Sequence, residues 1–184
     1  MDRVIKIKTP FTKDIVKQLK AGDAVEISGI IYAARDAAHK KLTALLDEGK
    51  ELPLDIRDQI IYYVGPCPAR PGMVIGSAGP TTSGRMDTYA PRLVKLGLTG
   101  MIGKGLRSAA VVEAMKEHGA VYFGATGGAG ALLSKCIISE EVTAFPELGT
   151  EALRKLVVEN FPAVVVVDCE GRDLYSIGRE NYRR

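Results

Sequence analysis

No stretch of this chain stays apolar long enough to cross a bilayer. Runs such as residues 163–167 end after five residues, where about twenty are needed. Residues 1–4, Met-Asp-Arg-Val, lack the apolar core of a secretory signal, so cytoplasm is the expected compartment. Tryptophan is absent, and the charge balance of 25 basic to 22 acidic residues leaves only +3. The basic stripe with interleaved aromatics of a nucleic-acid binder is therefore missing. Cysteine is scarce: Cys67, Cys136 and Cys169 are odd in number, far apart and without CxxC spacing. That argues against a disulfide framework and against a cluster, whose ligands usually include a closely spaced pair. Repeats, low-complexity tracts and long linkers are also lacking. What remains is an ordinary globular composition, 46% hydrophobic over 184 residues, enough for one domain with a sizeable core. The closing Tyr182-Arg183-Arg184 reads as a short solvated basic tail.

Periodicity divides the chain into alternating elements. Strands are predicted at 4–7, 24–32, 59–64, 73–75, 98–102, 120–125, 142–145 and, fully buried, 163–167. Helices are predicted at 11–19, 35–47, 108–118, 130–136 and 151–157. A further helix over 85–96 contains Pro91, which kinks it or divides it in two. Residues 168–171 form a turn into a last strand near Leu174 and Tyr175. Helices are sparser between the early strands than between the late ones. That favours a mixed α/β fold over a plain doubly wound sheet.

Four segments carry possible chemistry. In 76–87, glycines allow close backbone approach to a ligand, and Thr81 and Thr82 can cap a helix or donate to an anion. Arg85 in the first helical turn opposes the helix dipole unless an anion sits there too. Without GK[ST] spacing this is no P-loop. Read alone, it fits an anion site slightly better than an ordinary capped turn with a solvent arginine. Gly103-Lys104-Gly105, followed by Arg107, sets an ammonium on bare backbone; alone, a solvated loop lysine is the simpler reading. Arg35 falls at a strand-to-helix junction with His39 one turn on. His39 is a candidate proton carrier or partner of Arg35, although a partly exposed helix histidine is the simpler account. His118, before Gly119, is explained by a helix C-terminus. The run 124–131 is a glycine turn between strand and helix. Close backbone packing or an anion site suits it better than a dinucleotide.

Together RDAAHK (35–40), GPTTSGRMD (79–87), MIGKG (101–105), the glycine run, FPELGTEALRKL (145–156) and NFPAVVVVD (160–168) resemble the β-type domain of class I iron–sulfur fumarate hydratases and L(+)-tartrate dehydratases. The resemblance covers most of the chain, and the coincidence of the first three motifs is specific. It implies an α/β swivelling β/β/α domain with mixed sheets, a single compact domain over residues 1–184. It also implies a hydro-lyase that interconverts fumarate and malate, or dehydrates tartrate, and works only with a partner. In single-chain members this domain follows a larger one whose three cysteines hold a [4Fe–4S] cluster. A separate cluster-bearing α-subunit, and a higher oligomer such as α2β2, are thus expected, with no metal ligand on this chain.

The resemblance assigns Arg35, Arg85 and Lys104 to the two substrate carboxylates and Thr81 to proton transfer. The first assignment has physical sense, because a dianion held away from water needs at least two cations, and arginine offers paired donors in one plane. A threonine hydroxyl needs a neighbour that accepts its proton or stabilises the alkoxide. Lys104 and a carboxylate of the partner are the candidates. Fumarate is the first reading of the substrate, tartrate the alternative. A non-catalytic anion-binding or scaffolding domain is a third reading, one that does not require the three cations together.

Overall fold

A computed structural model describes residues 4–181 and 183. The readings of residues 1–3, Tyr182 and Arg184 lie outside the described residues. Seven strands form one sheet: β1 (Ile5–Lys8), β2 (Ala24–Ala33), β3 (Ile60–Tyr62), β4 (Gly100–Gly103), β5 (Val121–Gly124), β6 (Ile137–Ala144) and β7 (Leu153–Val167). The helices are α1 (Lys13–Val16), α2 (Asp36–Asp47), α3 (Ala90–Lys95), α4 (Ala109–His118), α5 (Gly130–Leu133) and α6 (Leu174–Asn181).

Strands β2, β3, β4 and β5 run parallel in that order. Strand β7 runs antiparallel to both β5 and β2, so the five close into a barrel. β2 and β7 are long enough to serve two neighbours along one edge. β2 takes β1 over Val25–Ser28 and β3 at Tyr32 and Ala33. β7 takes β6 near its start and β5 near its end. Pro162 falls between those two stretches, where a missing N–H disturbs no ladder on that edge. The pair bends where the register shifts between Ile27 and Gly29; Gly29 and Asn160 there take positive φ, as bulges do.

Alternation distributes the core. Ile60, Tyr62, Ile102, Val121 and Phe123 join Val25, Ile27, Ile31, Leu156 and Phe161 in one buried cluster filled from all five barrel strands. Their neighbours Ile61, Tyr63, Met101 and Tyr122 pack on the other face against Leu42 of α2, Leu93 of α3, and Val111 and Met115 of α4. The expected single α/β domain with a mixed sheet is the fold observed.

Several local expectations give way. Residues 73–75 form no strand: Pro66, Pro68 and Pro71 break the ladder, and Met73 and Val74 are exposed. Residues 153–157 are not helical; they begin β7, after a 3-10 turn that ends at Glu151, because pairing to β2 and β6 on both edges outweighs a weak helical pattern. The last strand is instead α6, started by Asp173, whose carboxylate accepts from the Tyr175 amide at 3.0 Å and the Ser176 hydroxyl at 3.0 Å. Only one turn of the 11–19 helix forms. The 85–96 helix divides into a 3-10 turn, Ser83–Met86, and α3, with Pro91 in its first turn. Val164 is exposed, so residues 163–167 are not fully buried.

Phe161 tests the closure. It is fully buried, faces Ile27 across the β2–β7 ladder and meets Tyr62 edge to face at 5.1 Å. Phe161→Ala is expected to cost about 3–5 kcal/mol in urea unfolding. A loss below about 1 kcal/mol would show that closure does not rest on this packing.

Candidate functional site

The carboxyl ends of parallel strands are where α/β sheets hold ligands, because chain leaving each strand there can turn toward a common point. At this end Ala33 runs into Arg35, Tyr62 into Gly65, Gly103 into Lys104, and Gly124 into the glycine turn. β7 runs the other way, so its start brings Glu151 to the same end.

Two backbone strands of contact assemble the centre. The Thr81 amide donates to the Tyr63 carbonyl at 2.7 Å, the Lys104 amide to the Thr81 carbonyl at 3.2 Å, and the Ser83 amide to the Lys104 carbonyl at 2.8 Å. Thr81 and Lys104, 23 positions apart, are thus locked side by side. The glycine turn packs backbone to backbone as expected: Ala78 N–H donates to the Gly130 carbonyl at 3.0 Å, and a Cβ on Gly130 would lie 2.8 Å from the Gly79 nitrogen. The stem and ammonium of Lys104 lie beside Gly127. The chemistry-bearing segments singled out in the sequence therefore meet.

The two arginines enter from the α2 side. Arg35, at the N-cap of α2, pairs with Glu151 at 3.1 Å. Its guanidinium occupies the space a side chain on Gly65 would need, 2.8 Å from such a Cβ. Asp36 Oδ2 pairs with Arg85 and lies 3.9 Å from Arg35. Glu151 also accepts from the Ala37 amide at 3.2 Å. Asp36 and Glu151 were not singled out as site residues. Asp36 follows Arg35 directly and is legible as an acidic first-turn residue; Glu151 arrives only through the direction of β7. Among the described residues Lys104 makes no ion pair, and the Thr81 hydroxyl makes no hydrogen bond. Thr82, at the N-cap of the 3-10 turn, makes no side-chain cap, so the capping role read for the threonines is not found.

His39 is fully buried, not partly exposed. Its Nδ1 lies 2.8 Å from the Arg35 carbonyl, which requires the hydrogen on Nδ1. It packs edge to face on Tyr63 at 5.3 Å. It holds the start of α2 from behind, and burial lowers its pKa to about 4. His118 ends α4 as expected, with Gly119 in the left-handed conformation. Cys67 is exposed, Cys136 points to the Asn160 carbonyl and Cys169 to the Val16 carbonyl. Among the described residues no three His, Cys, Asp or Glu side chains gather into a metal site. A groove of about 1070 Å³ follows β1, lined by Ile5, Ile7 and Leu19, and includes none of the candidate residues.

Residues 1–178 match the family described as Fumarase C-terminus. The chain belongs to that family. It is 44% identical over 169 residues to fumarate hydratase class I, anaerobic, of Escherichia coli, covering 89% of this chain and 31% of that protein. It is 42% identical over 176 residues to fumarate hydratase 2 of Leishmania major, covering 94% of this chain and 31% of that protein. A Methanocaldococcus jannaschii protein with the provisional name L(+)-tartrate dehydratase subunit beta is 38% identical over 171 residues, 90% of this chain and 88% of its own length. The chain thus spans about a third of the length of the fumarate hydratases it matches and most of the length of the beta subunit.

The buried histidine makes an acid-side prediction. Its folded pKa of about 4 lies below the ordinary 6.5, so the unfolded chain binds the extra proton between those values. Stability from this group is complete above pH 6.5 and falls as pH drops toward 4, by on the order of 3 kcal/mol. Urea unfolding across that range should show the slope in wild type and a flatter one in His39→Gln. Equal slopes would remove His39 as its source.

Proposed function

We propose that this chain, over residues 1–184, is the β-type catalytic domain of a hydro-lyase that interconverts fumarate and malate at an interface with a cluster-bearing α-subunit. The observation that carries this reading is the backbone lock between Thr81 and Lys104, which leaves hydroxyl and ammonium uncommitted beside two arginines. Arg35, Arg85 and Lys104 bind the two substrate carboxylates. Arginine supplies paired donors, and the lysine a compact charge. Asp36 and Glu151 keep the arginines from being bare charges before substrate arrives. Thr81 moves a proton at the substrate carbon, with Lys104 or a carboxylate of the partner stabilising the alkoxide. A [4Fe–4S] cluster on the partner supplies the Lewis acid for the leaving hydroxyl.

A separate partner is supported by the beta-subunit relative, matched over 88% of its length. Its name makes tartrate the second reading of the substrate, since the same cations serve either dianion. Exposed Leu106 lies between Lys104 and Arg107, and exposed Met73, Val74 and Leu132 lie just outside the 76–87 and 124–131 segments. They suit a face covered by another protein surface, in an assembly such as α2β2. The cytoplasm is the proposed compartment; among the described residues no helix is long and apolar enough to cross a membrane, and no nucleic acid is assigned as a partner.

Kinetics of the two-subunit complex separate the roles. Arg85→Ala should raise KM and lower kcat/KM by about ten- to a hundredfold, the worth of one charge-assisted contact. Thr81→Ala should lower kcat by about 10²–10⁴-fold with little change in KM, and Thr81→Ser should recover part. Near-normal kcat in Thr81→Ala would remove it from the chemistry, and normal kinetics in both would favour the scaffolding reading. The chain alone, reconstituted anaerobically with iron and sulfide, should stay colourless and inactive. Cluster absorbance that is lost on replacing Cys67, Cys136 and Cys169 would overturn the division of labour.

A further inference from the structure

Arg107 is the most enclosed charged side chain near the site, with no exposed surface. Its Nε donates to Asp87 at 2.8 Å and its Nη1 faces Met101 Sδ at 3.4 Å. Its guanidinium carbon lies 5.3 Å from the Tyr63 ring centroid and 5.0 Å from that of Tyr122. Both aromatic partners hold the site. The Tyr63 carbonyl accepts from the Thr81 amide. The Tyr122 hydroxyl donates to the Gly105 carbonyl at 2.9 Å and lies 2.9 Å from the Ser83 hydroxyl. The second oxygen of Asp87 accepts from the Ser108 amide at 2.6 Å. One guanidinium thus touches the residue that seats Thr81, the residue that seats Gly105 and Ser83, and the carboxylate two positions past Arg85.

Burying that charge is costly, and an apolar side chain of similar volume would pack the space more cheaply. Arg107 Nη2 has no hydrogen-bond partner among the described residues, so one donor of the group is buried unpaired. What the arginine offers is rigidity: a flat group fixed by one carboxylate and wedged between two rings cannot slide as an aliphatic side chain can. It stands three positions after Lys104, on the loop that leads from β4 to α4.

We propose that Arg107, pinned by Asp87, is a positioning residue that fixes the Lys104 loop against Thr81. It touches neither substrate nor reacting atoms and acts through Lys104. The proposal rests on the function assigned above to Lys104, but its structural half does not.

The test uses the full chain as wild type, Arg107→Lys and Asp87→Asn. Arg107→Lys keeps the charge and loses the planar wedge; Asp87→Asn keeps the shape and weakens the anchor. Amide hydrogen exchange is read at Ser83 and Lys104, the amides of the lock, against the β2–β7 ladder. Both variants should exchange roughly tenfold or more faster at those two amides with the ladder unchanged. Unchanged exchange at Ser83 and Lys104 would overturn the proposal. Succinate, a dicarboxylate probe, is then titrated by thermal shift against the two-subunit complex of each variant. Its affinity should weaken about tenfold in Arg107→Lys, and Arg107→Lys added to Lys104→Met should cost nothing more, because both act through one group. Additive losses would overturn the action through Lys104. Failure of the wild-type two-subunit complex to bind succinate would instead overturn the dicarboxylate function, while the exchange result still decides the positioning.

Discussion

The antiparallel pairing of β7 with β2, from Ala24 opposite Val164 to Ala33 opposite Arg154, turns a row of parallel strands into a closed barrel. Parallel strands β2 to β5 alone would leave two open edges and splay the chain that leaves each strand. With β7 bonded to β5 as well as β2, the strand ends are drawn into a ring. Arg35, Thr81, Lys104 and the glycine turn then share one mouth although they are scattered over nearly a hundred positions. The same strand, running backwards, delivers Glu151 to Arg35.

Inside that mouth the electrostatics are divided. The arginines are held by their own chain's carboxylates, Arg85 by Asp36 and Arg35 by Glu151. Lys104 is seated by backbone bonds and, among the described residues, has no counter-ion. Two paired cations and one cation without a counter-ion among the described residues leave the site with a small excess of positive charge. Behind it lie buried groups, His39 under the start of α2 and Arg107 between Tyr63 and Tyr122, whose bonds run to backbone and rings of the site. Rigidity therefore comes from the rear, leaving the Thr81 hydroxyl and the Lys104 ammonium in front without side-chain partners among the described residues.

Much of the fold was legible from the periodicity of the chain. The predicted strands at 4–7, 24–32, 59–64, 98–102, 120–125 and 142–145 and the helices at 35–47 and 108–118 are present, because their patterns agree with what each packs against. The failures share a cause. Residues 151–157 have a helical spacing, but both edges of β7 are occupied there, and ladder bonds decide between two permitted local patterns. Residues 73–75 have strand composition but no partner strand, and prolines on the approach prevent one. Leu174 and Tyr175 follow Asp173, whose capping of α6 outweighed the apolar character of the pair.

For the candidate site, Arg35, Thr81, Arg85 and Lys104 are picked out by the resemblance that the motifs carry in order; as residue types alone they also fit an ordinary turn, loop and helix start. Their being neighbours was decided by the tertiary structure, through the carbonyl of Tyr63 and the bonds between Thr81, Lys104 and Ser83. The burial of His39, the carboxylates facing the arginines and the enclosure of Arg107 belong to the same level. Composition and spacing register which side chains a segment carries. Which of them lose water, and which charge stands opposite which, depends on strands that meet only after the barrel has closed.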